Sequence, residues 1–296
     1  MPRPAPFLLA LALATVVPAF ARAPAGSAPS QDDGAEEEEE ETHGAPVASA
    51  PPPSPAVGAW VAHQTVEEVG GMLRLPGGRF TMGSSLKGAP RSERARPMVV
   101  GPFWIDRTET SVGEYEACVA AGECAPPRRT SAFCTAGRGV PSLPITCVRW
   151  EDARAYCRFA KKRLPTEAEW EFAARGTRRV AYPWGGAGAS CALAVTLVRD
   201  TSGQSCSPAG PAPVGSHPKG ASAFGVLDLA GNVEEWVDDF WSESPPPGGR
   251  PTSGASHVLR GGGWQSPPSR ARTSSRSWAS SMEAGPNVGF RCARDP

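Results

Sequence analysis

The sequence predicts an α+β domain rich in irregular loops and stabilised by disulfides. Three observations point there: two complete capping boxes, strand-like alternation upstream of them, and five tryptophans in a Gly/Pro-rich stretch with little regular pattern. Trp184, Trp236, Trp241, Trp264 and Trp278 are large rings that need a core, so the stretch holding them is expected to be folded.

Taken in order, Leu73 to Ser84 alternates apolar and polar residues around Gly77-Gly78, the pattern of a β-hairpin, and Val99 to Ile105 continues in the strand idiom. Ser111 and Glu114 then form a capping box that opens a helix through Ala121, with Gly122 to close it. A second helix is expected from about Glu151 to Lys161, with Ala153, Tyr156, Cys157 and Ala160 on one face. Thr166 and Glu169 make the second box, for a helix that ends at Gly176.

At the amino terminus, Arg3 precedes an apolar run from Phe7 to Val17 that is too short to span a bilayer. Ala19 and Ala21 frame a cleavage site, so residues 1–21 read as a secretory signal peptide, and no transmembrane segment is expected in the mature chain. Residues 22–58, Ala- and Pro-rich with an acidic block from Glu36 to Glu41, read as a disordered tether, leaving 59–296 as one globular domain. The 30 basic and 30 acidic residues cancel. No Lys/Arg-rich block stands out, which sets nucleic acid aside as a partner. All eight cysteines lie in the domain behind an export signal, so four disulfides are expected, with 105 connectivities open.

The block LPTEAEWEFAARG over Leu164–Gly176 resembles a hallmark of the formylglycine-generating enzyme (sulfatase-modifying factor) family. Further blocks of that family follow the same order: FTMGS from Phe80, YPWG from Tyr182, APVG from Ala212, GVLDLAGNVEEW from Gly225, RGGGW from Arg260 and GFRC from Gly289. The resemblance covers roughly residues 70–295 and implies a variant of the C-type-lectin fold.

It also implies a chemistry that this chain departs from. Active members oxidise a cysteine in a C-x-P-x-R motif with two cysteines, five positions apart, that bind copper(I) just after an R-G-G-S-[WY] block. Here that stretch has no cysteine, and Ser266 falls near the first position. A serine hydroxyl is neither ionised at neutral pH nor a soft ligand, so copper is not expected and no catalytic residue is assigned. Trp264, Ser266, Arg270, Arg272 and Arg276 are candidates for lining the groove, the arginines either as bidentate partners for an anionic group or in internal salt bridges and hydrogen bonds to loop carbonyls. Arg260 belongs to the same cluster.

The resemblance further implies a Cys157–Cys292 disulfide. Cys118–Cys124, Cys134–Cys147 and Cys191–Cys206 are expected as local pairs, the last fastening a loop that holds a calcium ion in active members. A second calcium site is matched by Asp228, Gly231, Val233 and Glu235, whose carboxylates and carbonyls form the hard oxygen set calcium prefers.

Other chemistries lack their parts. His43, His63, His217 and His257 have no metal-ligand spacing and read as surface residues. Ser266, Ser269, Ser274 and Ser275 have neither a G-x-S-x-G element nor a neighbouring histidine to act as base. Two functions remain: an exported binding or structural module for a peptide, glycan or envelope component, or an oxidoreductase with a different metal arrangement.

Overall fold

The computed structural model describes residues 66–207 and 209–296; the expected signal peptide and tether lie outside them. Pro76-Gly77 and Gly101-Pro102 face each other and decide the first half of the fold. Strand β1 (Glu68–Val69) pairs with β2 (Met72–Leu75), which continues past the corner into β3 (Gly78–Met82). On the returning chain, β4 (Arg96–Val100) pairs with β3 and β5 (Phe103–Asp106) pairs with β2, in one unbroken antiparallel register from Met72↔Asp106 to Met82↔Arg96.

This corrects the expected hairpin. Gly77-Gly78 is a bend within a ribbon, and the reversal comes later, over residues 83–95. A side chain cannot occupy the bend, because Gly77 has φ +68° and a Cβ there would lie 2.3 Å from the Gly101 carbonyl oxygen. The Val99–Ile105 run is likewise two strands, interrupted at Gly101-Pro102.

Helix α1 (Val112–Ala120) has its box complete: Glu114 N donates to Ser111 Oγ at 3.3 Å and Ser111 N to Glu114 Oε2 at 2.8 Å. Helix α2 (Trp150–Phe159) starts one residue earlier than expected and stops sooner, with Ala160 as its cap and Lys161 at φ +57°. Helix α3 (Glu167–Arg175) is capped by Thr166, and every one of its residues is buried. Its position explains this, since it packs against β3 and β4 on one side and against β6 (Glu234–Phe240) and β7 (Ser256–Arg260) on the other.

The second half holds a sheet that the sequence pattern did not reveal. Its order is β8 (Arg276–Ser280), β7, β6, β9 (Val288–Phe290), with β6 and β9 parallel. Three residues beyond β9, β10 (Ala293–Arg294) pairs with β5, so the carboxyl-terminal segment contributes a strand to each four-stranded sheet. Trp170, Phe103, Val237 and Val258 fill one core, and Tyr115, Ile145, Trp236 and Phe290 fill another. The tryptophans divide: Trp236 and Trp264 are buried, Trp184 and Trp241 are half-buried, and Trp278, contrary to expectation, is 56 % exposed.

Four disulfides join Cys118 to Cys124, Cys134 to Cys147, Cys157 to Cys292 and Cys191 to Cys206. No helix among the described residues is long and apolar enough to cross a membrane.

Candidate functional site

The glycine-rich turn after β7 carries the segment expected to hold the groove. Ser266 N donates to Gly263 O at 2.8 Å, and Gly263 N donates to Ser266 Oγ at 3.0 Å, so the serine hydroxyl closes a tight turn. It is 8 % exposed, and no histidine is among its hydrogen-bond partners. Five positions on, Ala271 is fully buried at the end of a short 3-10 turn, Pro268–Ala271. Trp264 is also closed in: its Nε1 donates to Pro286 O at 3.3 Å, and Phe133 lies against its ring at 5.4 Å.

Gly263 stands where the family's block has serine, and the Asn287 side chain lies over it. A Cβ at Gly263 would meet Asn287 Oδ1 at 2.2 Å. That oxygen accepts from Gln265 N at 3.2 Å, so the asparagine occupies the space a serine would need.

The expected groove arginines separate into two kinds. Arg260 is fully buried and donates to Glu167 Oε1 at 3.0 Å, Glu171 Oε2 at 2.6 Å and Thr273 O at 2.6 Å. Arg276, also buried, holds Glu167 through a second fork and donates to Ser92 O at 2.9 Å. Burial alone would raise the Glu167 carboxyl; Arg276 and Arg260 outweigh it and hold it low. These two arginines are therefore committed to α3. Arg272 is part-exposed and reaches Glu93 Oε2 at 3.3 Å. Arg270 alone of the four is exposed, with one hydrogen bond, to Arg276 O at 3.3 Å.

The expected calcium ligands lie close to a group that the sequence did not single out. Glu109 is 1 % exposed; its Oε1 accepts from Asn232 Nδ2 at 3.0 Å and its Oε2 has no partner. Burial first, and then Asp228, push its carboxyl well above the usual range. Asp228, with φ +57°, accepts from Gly215 N at 2.6 Å. Glu235 differs from expectation in being fully taken: its two oxygens accept from Arg291 Nε and Nη2, each at 2.7 Å, and Trp170 Nε1 donates to one of them at 2.8 Å.

Glu109, Asp228 and Glu235 lie within electrostatic reach of Arg291, and of the three only Glu235 makes an ion pair with it. The Asp228 carboxylate and the orphan Glu109 oxygen are hard oxygen donors of the kind a divalent cation takes. No three His, Cys, Asp or Glu side chains converge as a ready metal cage among the described residues. Only an unpartnered acid in a Thr-Glu-Thr loop marked Glu109 in the sequence, and such acids are ordinarily solvated.

His257 is a further correction. It is 2 % exposed, stacked between Trp150 at 3.7 Å and Phe240 at 4.4 Å, and burial lowers it to about 4. His217 stays near the surface; His43 and His63 lie outside the described residues.

Residues 58–296 match the sulfatase-modifying factor enzyme 1-like domain. The formylglycine-generating enzyme of Streptomyces coelicolor is 34 % identical over 76 % of this chain and 89 % of its own. The inactive C-alpha-formylglycine-generating enzyme 2 of Bos taurus is 32 % identical over 75 % of this chain and 87 % of its own. Among solved structures, PvdO from Pseudomonas aeruginosa superposes with a TM-score of 0.62 at 30 % identity, over 76 % of this chain and 94 % of that one.

Proposed function

The chain belongs to the family of sulfatase-modifying factor enzyme 1-like domains, and on that premise we propose that it is an exported binding module that keeps the scaffold without oxidising cysteine to formylglycine. The donor set where the resemblance implies copper carries this reading. Ser266 and Ala271 offer no thiol, and every cysteine of the chain is taken up in a disulfide. Copper(I) is held by soft sulfur ligands, and a hydroxyl that closes a turn cannot substitute. The residues do not fit the metal, so no step is derived through it. A family that includes a relative named as inactive is consistent with such a loss.

Export is supported by the four disulfides, which persist in oxidising compartments, and by the signal-peptide pattern of residues 1–21. Calcium is the structural cofactor proposed, at Asp228, Gly231 and Val233 with Glu109. The ligand is a peptide, glycan or envelope component, not nucleic acid.

Oxygen uptake by the purified chain, supplied with copper(I) and a C-x-P-x-R peptide, is the direct test, read beside its metal content. No uptake and no formylglycine product are expected. Stoichiometric copper or iron together with peptide-dependent oxygen uptake would sink the reading in favour of an oxidoreductase with a different metal arrangement.

A further inference from the structure

Trp278 is the anomaly that leads furthest. It sits on β8, the edge strand of its sheet, more than half exposed, opposite Val258 of β7. A large indole in water is unfavourable unless something covers it, and Trp is enriched where proteins bind. Trp278 is also not isolated: its ring centroid lies 6.4 Å from that of Trp241, with the planes tilted by 36°. Beside the two rings opens a cavity of about 280 Å³ whose remaining wall is polar except for Pro90, and includes Glu93, Glu243, Arg270 and Ser277.

The platform is rigid from beneath. Arg276 places its guanidinium 4.7 Å from the centre of the Trp241 ring, and the same guanidinium is locked onto Glu167. Trp241 N donates to Ser256 O at 2.8 Å, which fixes the backbone as well. Rings held in this way need no ordering when a ligand arrives.

The charges of the wall select the ligand's chemistry. Arg276 is turned onto Glu167, which Arg260 and Arg96 also hold, and Glu93 is paired with Arg272. That leaves Glu243 and Arg270, both exposed and neither in an ion pair among the described residues. One free acceptor and one free donor favour neither an anion nor a cation. They suit a neutral ligand with many hydroxyls, which both accept and donate. Such a ligand also has an apolar face of C–H groups to lay on indole. The volume lies just below the roughly 300–1,000 Å³ of pockets for drug-sized ligands and accommodates one ring rather than a length of peptide.

We propose that the Trp241–Trp278 cleft is a carbohydrate-binding site that takes one neutral pyranose unit of a glycan, with Trp278 as its stacking platform and Glu243 and Arg270 as hydroxyl partners. The proposal rests on the binding-module reading above and gives that module its ligand class.

The probes are maltotriose, cellotriose, mannotriose and chitotriose, titrated separately into the purified chain up to roughly 10 mM, with indole fluorescence as the readout. At least one gives a saturable change. Trp278→Ala weakens that sugar's binding at least tenfold and Trp278→Phe by no more than about threefold, because a smaller aromatic face remains. Glu243→Gln weakens it severalfold, while all three variants unfold at the wild-type temperature, as exposed positions should. No saturable change with any of the four sugars overturns the proposal, as does equal affinity in wild type and Trp278→Ala. A peptide array run in parallel separates the rival occupant: Trp278-dependent capture of peptides without sugar binding overturns the glycan and keeps the binding module. The module itself fails only through the oxygen-uptake assay, which does not depend on Trp278.

Discussion

Arg291 and Glu235 form a two-pronged ion pair, Nε to Oε2 and Nη2 to Oε1, at zero exposure of both side chains. Arg291 also donates to the carbonyls of Asp106, Arg107 and Leu227, which ties β5 and the loop of Asp228 to β6. Arg291→Leu leaves the Glu235 carboxylate buried without its counter-charge, and urea unfolding should show a loss of about 3–5 kcal/mol. A loss below about 1 kcal/mol would mean that the pair is not the centre of this junction.

Calcium is expected to raise the unfolding temperature, and a chelator to lower it. Glu109→Gln removes the negative charge of the orphan oxygen and should abolish most of the calcium response without lowering stability in chelator, since burial and Asp228 already disfavour that charge. Differential scanning calorimetry of both proteins, with and without the ion, decides this; an unchanged calcium response in the variant removes Glu109 from the site.

The pH dependence of stability carries the signature of His257. Its folded pKa of about 4 lies below the unfolded value near 6.5, so the neutral ring stabilises the fold above 6.5. That contribution is lost as pH falls from 6.5 through about 4. Asp239 acts with the opposite sign: burial raises its carboxyl to about 6, so its contribution is full below the ordinary aspartate value of 3.8 and fades as pH rises through 6. Denaturation midpoints of wild type and His257→Phe, compared across pH 4 to 7, should therefore diverge on the acid side; parallel curves would mean that the imidazole titrates normally.

A serine at Gly263, as in the family's block, requires the Asn287 side chain to move. Gly263→Ser meets the Asn287 amide and is expected to lose about 1–3 kcal/mol, much of it recovered in the double variant with Asn287→Ala. A thermodynamic cycle over the four proteins measures that coupling. Additive losses would show that Asn287 does not fill the position.

The disulfides should differ in weight. Cys157–Cys292 closes 135 residues and Cys118–Cys124 only 6. On chain entropy, replacing both cysteines by alanine costs about 5 kcal/mol for the first pair and about 2 for the second. Unfolding of the two double variants ranks them; equal losses would place the effect in the native contacts instead.

The sequence showed those features that are local. The boxes at Ser111 and Thr166 satisfy their own backbone groups, and each formed as read. Strand β6 escaped because Glu234–Phe240 buries Glu235 and Asp239 beside Trp236 and Val237, which breaks the alternation of apolar and polar residues. What stabilises those acids comes from Arg291 and Arg250, far along the chain or across a loop. The arginines near the groove could not be sorted for the same reason: a guanidinium facing Glu167 across 93 residues has the same local sequence as one facing solvent. Glu109 needed Asp228 beside it before its charge meant anything.

The segment from Val288 to Arg294 supplies β9 to one sheet, β10 to the other, Arg291 to Glu235 and Cys292 to Cys157. Neither four-stranded sheet is complete without it, so a growing chain cannot finish this domain until Val288–Arg294 have been made. Until then Cys157 remains a thiol exposed to wrong partners. The interval between the appearance of Cys157 and that of Cys292, 135 residues later, is thus one in which the thiol lacks its native partner.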